Sequence, residues 1–183
     1  MFTPAPLRLL ALGAALAMAG PVLAQPKATA PAASAGGVKW SVPKAWTDQP
    51  GSSTMRVATY RVPAAKGAEV GEVAVFFFGP GQGGTVDANV ERWSRQFEGT
   101  PPAERSAKRV NGLAVSLVRL AGTYLAPGGP MMQSQGKKPD YRLLGAIVEA
   151  PEGLLFLKLT GPAATVAAAL ADFDALVASF TKG

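Results

Sequence analysis

Glu72-Val-Ala-Val-Phe-Phe-Phe78, then Gly79-Pro-Gly-Gln-Gly-Gly-Thr85, then the run from Val86 to Phe97, read as strand, glycine loop and helix. In the first segment Val73, Val75 and Phe77 point one way and Ala74, Phe76 and Phe78 the other. Both faces therefore need cover, and the strand belongs inside a sheet with a layer on each side. Thr85 is a suitable N-cap, and Asp87 sits in the first turn, where the helix dipole favours a carboxylate. Val86, Val90, Trp93 and Phe97 recur at helical spacing as an apolar stripe, while Glu91 and Arg95 pair on the wet side. The helix is expected to end near Gly99, and Trp93 is assigned to core.

Upstream, Val38-Lys-Trp-Ser-Val-Pro-Lys-Ala-Trp46 opens the folded part. Trp40 and Val42 share one face of a short strand that Pro43 ends, and Trp46 packs back on the core edge. Two tryptophans so close could also cage a ligand, but at a strand end they read more simply as core. Thr54 to Val62 is the next strand, with Arg56 and Arg61 on opposite faces. Downstream, Ala103–Val110 and Leu113–Leu125 form a hairpin around Asn111-Gly112, with Leu113, Val115 and Leu117 inward. Tyr141–Ala150 and Leu154–Gly161 form a second around Pro151-Glu-Gly153. Its first strand is two-sided (Leu143 and Ile147 against Leu144, Ala146 and Val148), and Leu155, Leu157 and Leu159 line one face of its second. A helix opened by Gly161-Pro162 follows, with Val166, Leu170, Phe173, Leu176 or Val177, and Phe180 as its stripe. Between the hairpins, Ala126 to Pro139 is long, rich in turn residues and either functional or mobile.

Residues 1–24 have the layout of a secretory signal: Arg8, an apolar run from Leu9 to Leu23, and small residues in Val22-Leu-Ala24. Cleavage before Gln25 is expected. Gly13, Gly20 and Pro21 interrupt the run, which falls short of the roughly 20 apolar residues of a spanning helix. Residues 25–37 read as a disordered Ala/Pro-rich tether, and 38–183 as a single domain held by its core, since the chain has no cysteine to crosslink it. An exported, periplasmic or secreted location follows. The net charge of +6 is spread along the chain and suits a solvated surface. Only Arg105-Ser-Ala-Lys108-Arg109 and Lys137-Lys138 cluster; they argue against nucleic acid, for want of interleaved aromatics, and allow at most a weak contact with anionic lipid.

The order strand, strand, strand, helix, hairpin, hairpin, helix, together with Trp40-Ser-Val-Pro-Lys-Ala-Trp46, resembles the PsbP-like superfamily. This group includes the extrinsic photosystem II protein PsbP, a Ran-binding import factor and DcrB-like envelope proteins. The resemblance implies an α+β fold, an antiparallel β-sheet covered by helices on both faces (an α/β/α sandwich). It carries no activity with it, because the superfamily shares a shape across unrelated functions. The metal-site histidines of photosystem members have no counterpart in a chain without histidine.

The chemistry available is limited. Gly79-Pro-Gly81-Gln-Gly-Gly84 fits G-x-G-x-x-G between a strand and a helix, where the amides of Gly81, Gly83 and Gly84 with Thr85 could hold a phosphate or carboxylate. Pro80 removes an amide, however, and hairpins replace the parallel crossovers a dinucleotide site needs. A structural turn is the simpler account. Ser41-Val-Pro-Lys44 and Ser134-Gln-Gly-Lys137 match the serine-x-x-lysine pattern without its companion motifs. The lack of histidine and cysteine removes histidine-dependent triads, thiol chemistry, and soft or imidazole metal sites. Glu149 with Glu152, and Asp172 with Asp174, are better explained by a turn and a helix's wet face than as catalytic pairs. The expectation is a non-enzymatic envelope protein without cofactor, metal or catalytic residues, acting on a protein partner as a binding or assembly accessory. The alternative is a small anionic-ligand binder or weak hydrolase built on the loop from Gly79 to Thr85.

Overall fold

The computed structural model describes residues 32–50, 55–126 and 136–183. The signal segment 1–24, the first part of the tether and Met131-Met132 lie outside the described residues. Ten strands and three helices follow in order: β1 (Ala32–Ala35), β2 (Val38–Ser41), β3 (Thr47–Asp48), β4 (Ala58–Val62), β5 (Gly71–Phe77), α1 (Val86–Ser94), β6 (Glu104–Val110), β7 (Leu113–Leu125), β8 (Lys137–Ala150), β9 (Gly153–Pro162), α2 (Ala163–Ala168), α3 (Leu170–Ala178) and β10 (Thr181–Lys182). Seven strands build one antiparallel sheet in the order β3-β4-β5-β9-β8-β7-β6, and β1-β2-β10 build a second.

The two hairpins form where the turn residues place them. Val110 pairs with Leu113 across Asn111-Gly112, and Ala150 pairs with Gly153 across Pro151-Glu152. Interlocking β5 with β9 in register, Val73↔Leu159 and Val75↔Leu157, aligns the aliphatic residues of both strands on one face. That face is closed by Trp40, Tyr60, Val166, Phe173, Leu176, Val177 and Phe180. The opposite face carries Phe76, Phe78, Phe156, Ile147, Leu143 and Tyr124 under Val90, Trp93 and Phe97 of α1 and its extension. The expected division of residues between the two faces is the one observed.

The expected sandwich, a sheet covered by helices on both faces, is not: the helices that touch each face are too short to cover it. Strand accounts for 49% of the described residues and helix for 17%, and the helices are three short ones beside two antiparallel sheets. The single helix expected after Gly161-Pro162 begins one residue later, because β9 runs through Pro162, and it breaks at Ala169 into α2 and α3. The space left beside it is filled by the small sheet, where Thr181 and Lys182 pair with Lys39 and Val38. That sheet also claims part of the expected tether: Ala32–Ala35 pair with Val38–Ser41 as β1. The end of the expected loop, Lys137 to Pro139, belongs to β8 instead. α1 is shorter than read, ending at Ser94, with a cap at Arg95; Phe97 nevertheless keeps its place in the core at 1% exposure.

Candidate functional site

The glycine loop is held by the fold on both sides. Thr85 caps α1 as its sequence position suggests, its Oγ1 accepting from the Ala88 amide at 3.1 Å. Asn89, buried on the first full turn, donates to the Gly83 carbonyl at 2.7 Å and to the Thr85 carbonyl at 2.9 Å, and its Oδ1 accepts from Arg92 at 3.2 Å. A Cβ on Gly83, whose φ is +87°, would stand 2.8 Å from Phe78 and 2.9 Å from Phe156. Gly81 faces open space. Gly81, Gly83, Gly84 and Thr85 are thus brought together in one turn, with Gly83 and Gly84 bordering a depression that carries Phe78 and Arg92, while Gly81, Gly84 and Thr85 line a second, shallow one that carries Glu149. A carboxylate there opposes an anion rather than attracting one.

The other residues singled out from sequence fall into the framework. Trp40 and Trp46 are buried, and Trp40 Nε1 donates to Tyr60 Oη at 3.2 Å. The Lys137-Lys138 pair is engaged in ion pairs, Lys137 with Glu98 and Lys138 with Glu69, the latter at 2.7 Å. Glu69 also accepts from the Tyr141 hydroxyl at 2.7 Å. Among the described residues no group of three or more His, Cys, Asp or Glu could hold a metal ion, and no helix is long and apolar enough to cross a membrane.

Three features were missed in whole or in part, for the basic run Arg105-Ser-Ala-Lys108-Arg109 was read from sequence but its place on a sheet edge was not. The first is Lys158, on the aromatic face of β9 between Ala74 and Gly145. It donates to Gln96 Oε1 at 2.9 Å and lies 6.0 Å over the Tyr124 ring. Burial, with the Arg56 charge added, pushes its ammonium down to about 8; Glu72 acts against the shift. Burial likewise pushes the Tyr124 hydroxyl up to about 12, Glu72 adding to the effect. Arg56 and Glu72 pair nearby at 2.8 Å. The clue was present, since Leu155, Leu157 and Leu159 put Lys158 on the other, equally apolar face.

The second is the outer edge of β6. This strand ends the seven-stranded sheet, most of its residues are exposed, and it carries Arg105, Lys108 and Arg109. Arg105 is bonded to Asp87 of α1 at 2.7 Å, whereas Lys108 and Arg109 have no ion pair among the described residues. The third is a groove of about 370 Å³ where α2 and the start of α3 lie along β7 and β8.

Neither the protein-family models nor the curated proteins include a match to this chain. Solved structures do. The solution structure of cyanobacterial PsbP (CyanoP) from Synechocystis sp. PCC 6803 is 15% identical, with a TM-score of 0.52 over 90% of this chain and 100% of that one. A Pseudomonas aeruginosa protein of unknown function is 18% identical, covering 79% of this chain and 91% of that one at a TM-score of 0.45. A Bacteroides thetaiotaomicron protein is 10% identical, covering 82% and 47% at 0.42. Only the first bears on the fold, and at such identity it bears on nothing else. The chain has a PsbP-like fold.

Proposed function

We propose that this chain is an exported, periplasmic binding module that assists the assembly of another envelope protein, and that it takes an acidic, extended segment of that partner along β6. The observation that carries this reading is the edge itself: seven residues of strand at the end of a large sheet, five of them exposed, with three cations against one carboxylate. An open edge offers a row of amides and carbonyls to any strand. Lys108 and Arg109 make two copies of this edge repel each other and favour an acidic partner, so the same charges that prevent self-association select the guest. The secretory layout of residues 1–24 supports export. The anion-site alternative at Gly79–Thr85 is disfavoured by Glu149 and by the hydrogen bonds that already occupy Asn89 and Thr85.

Intact mass of protein recovered from outside the cytoplasm should show a chain beginning at Gln25; a full-length, membrane-retained species contradicts export. For the partner, a photocrosslinking side chain placed at Ser106 should capture one protein that the same probe at Asp174, on α3, does not. Lys108→Glu with Arg109→Glu should abolish that product. Equal capture at both positions, or capture indifferent to the charge reversal, rules out the edge.

A further inference from the structure

The groove beside α2 combines two features that a solvated surface does not need together. Its floor is apolar: Leu144 and Val166 are buried, and Leu170 forms one wall. Its rim is cationic. Arg119 lies opposite Leu144 in the β7–β8 register, and Arg142 lies opposite Ala121, so two guanidinium groups sit on the same sheet face, one step apart along the strands. Among the described residues neither forms a hydrogen bond or an ion pair. Glu104 stands opposite Arg119 across β6 and β7 without making a salt bridge to it, and the ionisable groups lining the groove come to one excess positive charge.

We propose that this groove binds an aliphatic carboxylate, with the chain on Leu144, Val166 and Leu170 and the carboxylate held by Arg119 and Arg142. Guanidinium groups match a carboxylate in shape and in charge-assisted hydrogen bonding, and an uncharged chain end would leave them as they are. Decanoate, a ten-carbon chain ending in one carboxylate, is a probe of suitable size for a partly open groove of about 370 Å³. The site is separate from the β6 edge proposed above, and each stands or falls without the other.

Isothermal titration of the folded protein with decanoate below its micelle concentration should show one saturable site. Decanol, with the chain but no charge, and acetate, with the charge but no chain, should bind at least tenfold more weakly. Arg119→Gln with Arg142→Gln should weaken decanoate at least tenfold while decanol is unaffected. Ala167→Trp, at an exposed position lining the groove, should fill it and remove binding altogether. Vesicles containing phosphatidylglycerol separate a free carboxylate from a lipid surface: binding to vesicles but not to decanoate overturns the proposal. So does equal affinity for decanoate and decanol, an Ala167→Trp protein that binds as the parent does, or no heat from decanoate at all.

Discussion

The large sheet is covered by different means on its two faces. On one, Leu155, Leu157 and Leu159 of β9 meet α2, α3 and the small sheet, and the core is aliphatic apart from Trp40, Trp46, Tyr60, Phe173, Phe180 and the partly buried Phe77. On the other, α1 provides the helical cover over β7 and β8, and rings (Phe76, Phe78, Tyr124, Tyr141 and Phe156) stand beside the aliphatic Val118, Leu120, Leu143 and Ile147, with Lys158 and the Arg56–Glu72 pair set among the rings. Simple dimensions account for the contrast. Nine residues of helix rise about 13 Å and are about 10 Å wide, while seven strands at about 4.8 Å span about 29 Å. A helix that short cannot shield the whole face. Rings with polar edges and a lysine with a long apolar stem can shield the remainder without demanding complete exclusion of water. The face with less helix is therefore the one that holds charged groups among its packed side chains.

The largest test of that contrast is Trp93→Ala. Trp93 is 5% exposed and is the main contact of α1 with the sheet, so its removal should cost about 3–5 kcal/mol; an unchanged chemical denaturation midpoint would mean that α1 is not what covers this face. Next is Gly145→Ala. A Cβ at Gly145 would lie 2.2 Å from the Trp93 ring, so the variant should lose about 1–3 kcal/mol by forcing the ring away. In the double variant with Trp93→Ala that loss should largely vanish, and a double-mutant cycle that comes out additive breaks the assignment.

Acid–base behaviour sharpens the comparison further. Lys158 holds its proton more weakly when folded, at about 8 against an ordinary 10.5. The unfolded chain therefore binds more protons between those values, and stability rises with pH across that window. Tyr124, raised from 10.0 to about 12, acts the other way: its contribution is present below 10 and is lost as pH climbs towards 12. The rise should be readable from about pH 8 to 10 as a gain of about 1–2 kcal/mol, allowing for the part-exposed lysine stem. Denaturation at fixed ionic strength should show it in the parent and not in Lys158→Met.

The smallest effect separates two glycines of one loop. Gly81→Ala and Gly83→Ala both place alanine at positive φ, but only Gly83→Ala also presses on Phe78 and Phe156. The second should be less stable than the first by about 1 kcal/mol. Phosphate should shift the melting temperature of neither protein nor parent at matched ionic strength; a saturable rise in the parent, lost in Gly83→Ala, would restore the anion site.

Much of this was readable before the structure, for local reasons. Alternation in β5 and β8, the turn at Asn111-Gly112 and the Thr85 cap are written in adjacent residues. What escaped depends on distant ones. Ala32–Ala35 has no strand signature and is a strand because β2 lies beside it, and β10 is only two residues long, too short for any period. Lacking those two strands, a sheet with helices on both faces was the economical reading of the remaining pattern. The groove escaped for the same reason: Arg119 and Arg142 become neighbours only through the register of β7 with β8.

The pairing of β10 with β2 also imposes an order of events. Ser41 and Ser179, 138 residues apart, are joined when the Ser41 amide donates to the Ser179 hydroxyl at 2.9 Å, and the Gly183 amide reaches the Gly37 carbonyl at 2.8 Å. Closing so long a loop is entropically expensive unless the intervening sheet has already drawn its ends together. A chain delivered from its N-terminal side can therefore assemble both hairpins early, yet β2 must wait for residues 179–183 before its second edge is covered. While those five residues are held away, the second edge of β2 stays uncovered and the Ser41–Ser179 and Gly37–Gly183 contacts are unmade.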